Sequence, residues 1–100
     1  AELSLARAEA DAGVARAARA RDIALARAER GRQLVASANR VAAMSMTAFR
    51  EGAAPISTVL EAQRTARETL ATYIDDLARA WIAIATERVL TLTTTPDRPQ

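Results

Sequence analysis

Asp75 and Asp76 are the one pair of adjacent acids in this sequence. A carboxylate pair is a common beginning for a cation site or an acid–base couple. Neighbours in sequence point to different parts of a helix, so these two do not converge on one ion. Asp75 instead stands four residues before Arg79, the spacing of an ordinary helix ion pair worth about 0.2–0.5 kcal/mol. Cysteine and histidine are both absent. That removes disulfides, thiol chemistry and the commonest soft metal ligands. It also leaves no Ser-His or Cys-His nucleophile pair. With no constellation of acid, base and nucleophile, the chain does not read as an enzyme, and no metal or cofactor is expected.

Arginine is the other chemistry-bearing residue. All 14 basic residues are arginine, and the net charge is only +2. The excess is local, because the first fifty residues carry nine arginines against five acids. A basic helical nucleic-acid-binding module is therefore one reading. Against it, the arginines are spread around the pattern and interrupted by Glu2, Glu9, Asp11, Asp22 and Glu29. No aromatics interleave with them, so no nucleic-acid partner is expected. A salt-dependent shift with DNA or RNA would be the mark of that reading.

The remaining candidate is the stretch "TAFREGAAPISTVLEAQRT", residues 47–65, where a strongly helical texture breaks. Gly52 fits the position just past a helix end, where a left-handed conformation is needed. Pro55 fits the first turn of the next helix, where its missing N–H costs nothing. Thr58 and Glu61 also match a capping box, hydroxyl and carboxylate meeting orphan N–H groups. The two helix starts differ by three residues, and the sequence supports both.

The elements on either side must position this stretch. Residues 1–51 read as one helix, since alanine, arginine and glutamate are strong helix formers. Gly13 and Gly31 each cost about 1 kcal/mol relative to alanine without breaking it. Its buried stripe is Ala10, Val14, Ala17, Ala20 or Arg21, Ala24, Ala28, Gly31, Val35, Ala38, Ala42, Ser45 and Phe49. Spacings of three and four make this a coiled-coil-like seam of small residues. Leu34, Val41 and Met44 form a second, partial stripe, which points to neighbours on more than one side.

The second helix is expected over 56–92, after a turn at 52–55. Its apolar places are Ile56, Val59/Leu60, Gln63, Ala66, Leu70, Tyr73/Ile74, Leu77, Ala80/Trp81, Ile84 and Arg88. Threonines and two prolines then favour a flexible tail over 93–100. The fold class is all-α: a long antiparallel helical hairpin, a coiled coil that packs into a bundle or barrel by oligomerisation. The second helix runs out first, leaving the first dozen or so residues without a partner in the chain.

Large apolar side chains are sparse, with one Trp, one Tyr and one Phe, so partners are needed to bury a core. No stretch approaches the length and apolarity of a membrane span. Ala1-Glu2-Leu3 shows neither an initiator Met nor a signal peptide, and the start within a helical pattern points to a segment of a longer protein.

Arg50-Glu51-Gly52, a short linker, then Ile56-Ser57-Thr58-Val59-Leu60-Glu61-Ala62-Gln63-Arg64 resembles a segment of TolC-like outer-membrane efflux channels. That segment reads "(Y/F)xxG…(V/L)xD(V/L)(L/D)xAQR" and joins the last two long periplasmic helices. The resemblance is closest to the branch paired with heavy-metal resistance pumps, and it covers roughly residues 40–92.

It implies a homotrimer whose helices form a tapering twelve-helix tunnel across the periplasm, continuous with an outer-membrane β-barrel. The turn would lie at the tunnel entrance and meet a periplasmic adaptor protein and an inner-membrane efflux pump. The cargo would be metal cations or other small solutes. Thr58 and Glu61 match the two entrance positions that can be acidic. Arg50, Glu51, Gly52, Ala53, Ala54 and Pro55 match the adaptor-contacting tip. Phe49 matches the aromatic before the turn, and it and Trp81 are expected to pack.

Two positions depart from the pattern. Thr58 is not acidic, so a double acidic ring becomes a single ring of Glu61. Ala54 replaces an arginine that helps lock the entrance in some members, leaving Arg50 as a candidate for a different ion pair. A Glu61 ring would favour cations by simple electrostatics. For Gln63 and Arg64 a helix-to-helix hydrogen bond is expected.

The coiled-coil hairpin of a periplasmic adaptor is the alternative within the same machinery. Outside a channel, the hairpin is expected to self-associate as a dimer or four-helix bundle rather than as a trimer.

Overall fold

The computed structural model describes residues 2–94. Helix α1 spans Glu2–Arg50 and helix α2 spans Ile56–Thr94, with no strand among the described residues. The two helices pack along each other as an antiparallel hairpin. Alanine carries the helical propensity of α1. In α2 threonines are frequent, and several accommodate the helix by bonding back to it. The hydroxyls of Thr69, Thr72 and Thr93 donate to the carbonyls of Thr65, Glu68 and Leu90 at 2.8, 3.2 and 3.1 Å. This satisfies the hydroxyls within the helix. It also lets α2 continue through Thr93 and Thr94, past the expected stop at 92. The rest of the expected tail, 95–100, lies outside the described residues.

Packing follows a seven-residue repeat on both helices. On α1 the small residues Ala10, Ala17, Ala24, Gly31, Ala38 and Ser45 recur every seven positions, and all are buried or half-buried. On α2 the matching set is Val59, Ala66, Tyr73, Ala80 and Glu87. Gly31 shows how close the helices come. A Cβ added there would lie 2.9 Å from Tyr73 Cδ1 and 3.5 Å from both Tyr73 Cα and Cβ. Only a glycine fits this approach without displacement. The Gly31–Tyr73 level sets the register, placing Ala24 level with Ala80 and Ala38 with Ala66, one repeat to either side.

The ambiguous places of the second stripe fall one way. Val59 is 1% exposed and Ala80 4%, whereas Leu60, Ile74 and Trp81 lie outside the seam, Trp81 at 69%. Trp81 therefore packs little against the other described residues. Phe49 is also exposed, and Ala48 is half-buried at the end of α1 instead. Ile56, Leu70 and Arg88 leave the seam as well. Thr69 and Glu87 are half-buried where Leu70 and Arg88 were expected.

Glu87 meets the one charged residue on the α1 seam. Arg21 donates to its carboxylate across the interface, with side chains 33% and 17% exposed. A hydrogen bond from Arg21 to Asp22, and then the contact with Glu87, pushes the Arg21 guanidinium pKa up.

Ala17, Ala28, Val59 and Ala80 are the only buried hydrophobic residues among those described. The molecule measures 76 × 27 × 13 Å, one helix thick in its narrow direction. Residues 2–9 are all exposed, the unpartnered overhang expected of the longer first helix.

Candidate functional site

The tip is built by a helix end that closes on itself. The amide of Glu51 still donates to the carbonyl of Thr47, at 3.1 Å. The amide of Gly52 then donates to Phe49 at 3.0 Å, and that of Ala53 reaches back to Ala48 at 2.8 Å. This is the Schellman arrangement, which satisfies carbonyls left over at the end of a helix. It requires a left-handed residue, and Gly52 supplies it with φ +77°. No other described residue has positive φ.

Pro55 precedes the first residue of α2, and its carbonyl accepts the amide of Thr58 at 3.0 Å. Pro55 thus stands just outside the helix rather than within its first turn. Thr58 is the third residue of α2. It is too deep in the helix to cap it, so the Thr58/Glu61 pair is not a capping box here.

These caps leave the tip residues facing outward. Arg50, Glu51, Gly52, Ala53 and Pro55 are exposed, and Ala54 is half-buried. Neither Arg50 nor Glu61 has an ion-pair partner among the described residues. Arg64, two positions past Ala62, binds Glu68 of its own helix at 3.1 Å instead of crossing to α1. Asp75 and Arg79 form the expected pair at 3.5 Å. On α1, the Arg32 guanidinium donates to Glu29 at 2.7 Å and holds that carboxyl below the usual carboxylate range.

Thr58 and Glu61 come together on an open groove behind the turn. The groove encloses about 680 Å³. Leu34, Val41 and Ala38 of α1 form its apolar wall. Ser57, Thr58 and Glu61 of α2 stand at the tip end, with Thr65 and Thr69 further along. Leu34 and Val41 of the second stripe expected on α1 thus line this groove. Glu61 is the single ionisable group in the lining, and the hydroxyls supply donors and acceptors beside it.

The groove continues away from the tip past Arg27, Arg30 and Asp76. Its lining was not legible as a unit in the sequence, because it alternates between two helices whose register depends on Gly31 and Tyr73. Glu87 was missed because the α2 repeat was continued to Arg88. The signal available was an arginine at 21 on the opposite seam, which requires an acid to meet it.

Among the described residues, no group of three or more acidic side chains could hold a metal ion. No helix among them is long and apolar enough to cross a membrane. No known protein family, characterised protein or solved structure matches the chain.

Proposed function

We propose that this hairpin is the periplasmic entrance segment of a TolC-like outer-membrane efflux channel, exporting metal cations or other small solutes. One observation carries the reading. The stretch that resembles such channels, from Phe49 to Arg64, wraps around the turn of a long helical hairpin, with its tip residues outward. A helical tunnel built from such hairpins needs each one to present uncovered flanks to its neighbours. This hairpin is a single layer with Leu34, Val41 and Met44 exposed on α1 and Leu60, Ile74 and Trp81 exposed on α2.

In this reading the exposed tip, Arg50 to Pro55, meets the adaptor. Glu61, exposed and without an ion-pair partner among the described residues, contributes one carboxylate to a ring at the entrance. Three such carboxylates attract cations and repel anions. The test is the reversal potential of the complete channel in a planar bilayer under a salt gradient. Glu61→Gln is expected to move it away from cation selectivity. An unchanged potential removes the ring, and a product that forms no pore at all removes the channel.

A further inference from the structure

The two long sides of the hairpin differ, and the seam defines them. Four groove residues precede a seam residue by one position: Leu34 before Val35, Val41 before Ala42, Thr58 before Val59, Thr65 before Ala66. A second set on α2 follows buried or half-buried residues by one: Leu60, Ile74 and Trp81 after the seam residues Val59, Tyr73 and Ala80, and Leu70, Leu77 and Ile84 after the half-buried Thr69, Asp76 and Ala83. By helical geometry this set lies on the side away from the groove. It repeats at threes and fours and forms a ridge centred near residue 72. Leu60, Leu70, Ile74 and Trp81 are all exposed along it. Leu77 and Ile84 are half-buried against the seam, but no described residue covers the other four, and four buried apolar residues make a thin core for a molecule of this length. Stable domains pack two layers around their apolar faces, and this molecule has one.

We propose that a second copy of this chain covers the ridge, packed face to face and running antiparallel, tip against base. Area and charge both select this occupant. Two copies related by a twofold axis at residue 72 overlap for about 35 residues, or roughly 50 Å. Across two helices about 20 Å wide, that buries on the order of 1,000 Å² per partner, above the ~800 Å² of a standard stable interface.

Charge sets the direction. The tip half, residues 33–78, carries four arginines against five acids. The base half, residues 2–32 with 79–94, carries nine against six. Parallel pairing would stack the two basic ends on each other. Antiparallel pairing sets each basic end against a slightly acidic one. The ridge is also self-complementary about its centre, with Leu60 level with Ile84 of the second copy and Leu70 level with its Ile74.

The experiment is sedimentation equilibrium of this chain over a range of concentrations, with the emission of Trp81, its single tryptophan, followed in parallel. The expected result is twice the 10.7 kDa chain mass, with emission moving to shorter wavelength as the dimer forms. Ile74→Glu and, independently, Trp81→Arg are expected to give monomers that keep their helical circular dichroism. Val41→Glu on the groove side is expected to leave the dimer intact.

A spin label at Ala53→Cys reads the direction. Nineteen residues on each side of the axis place the two tips roughly 57 Å apart in the antiparallel pair. A chain that stays monomeric, a dimer that dissociates on Val41→Glu but not on Ile74→Glu, or adjacent tips would each overturn the proposal. The pairing is that of this chain on its own; in the channel reading neighbouring hairpins meet the same ridge, so sedimentation of this chain and bilayer recording of the complete channel can fail separately.

Discussion

Gly13 and Gly31 both lie inside the continuous helix α1, and replacing each by alanine should have opposite effects. Alanine is favoured over glycine inside a helix by roughly 0.5–1 kcal/mol. At Gly13 that gain is available in full, because the nearest atom to an added Cβ is Arg16 Nη2 at an ordinary 3.8 Å. Gly13→Ala should therefore stabilise the hairpin, raising Tm by roughly 4–8 °C per kcal/mol in a chain of this size.

At Gly31 the same Cβ would sit 2.9 Å from Tyr73 Cδ1. That carbon is close to the Tyr73 backbone, itself 3.5 Å away at Cα, so the ring cannot simply swing clear. The helices must separate, and overpacking of this kind costs about 1–3 kcal/mol. Set against the propensity gain, Gly31→Ala should range from neutral to about 2 kcal/mol destabilising.

Urea denaturation followed by circular dichroism, at one fixed protein concentration, measures both variants. The decisive arm is Gly31→Ala in a Tyr73→Ala background, where the obstructing ring is gone. There the substitution should become stabilising, like Gly13→Ala. A Gly31→Ala that stabilises in the parent chain, or shows no coupling to Tyr73, would refute the close approach of the helices at this level.

Other consequences follow from the turn, the seam and the surface pairs. Gly52→Ala should cost about 1–2 kcal/mol in the same denaturation assay, because its φ of +77° is unfavourable for a residue with a Cβ. Gly52→Asn should cost less, since asparagine tolerates that conformation better. Val59→Ala should cost about 2 kcal/mol, removing two carbons from a fully buried site and leaving a void. Ile56→Ala, on an exposed residue of the same helix, should change stability by less than about 0.5 kcal/mol. Arg21→Ala and Glu87→Gln should each lower the urea midpoint, and the double variant should lose less than the sum of the two.

The Glu29 carboxyl has its pKa lowered by Arg32, so its contribution is present above the ordinary carboxylate range. It should fade as pH falls through the lowered value, and Glu29→Gln should remove that part of the acid dependence of Tm.

Much of the hairpin was legible because its signals are strong and local. The seam of α1, from Ala10 through Gly31 to Ser45, follows a spacing that small residues do not obscure. Gly52 and Pro55 mark the turn through backbone geometry alone. The seam of α2 was legible only to within one residue. At Val59/Leu60, Tyr73/Ile74 and Ala80/Trp81 two apolar residues stand side by side, and hydrophobicity favours the larger. The close helix approach favours the smaller at the first and third, which is why Trp81 and Leu60 point outward.

Phe49 was placed in the seam by the repeat, but the helix closes at the turn within three residues, and Ala48 is half-buried there. The capping-box pattern at Thr58 was overridden because the chain had already entered the helix after Pro55. The groove that gathers Thr58, Glu61, Leu34 and Val41 depends on register between two helices. That register rests on a glycine facing a tyrosine, which no pattern within either helix reveals.

The place proposed for this hairpin is in an outer-membrane channel. The most direct measurement is to express the complete reading frame that encodes it, fractionate the envelope, and record the purified product in a planar bilayer. The expected product is an outer-membrane trimer with discrete single-channel conductance. A product recovered without the outer membrane, with no conductance, would contradict it.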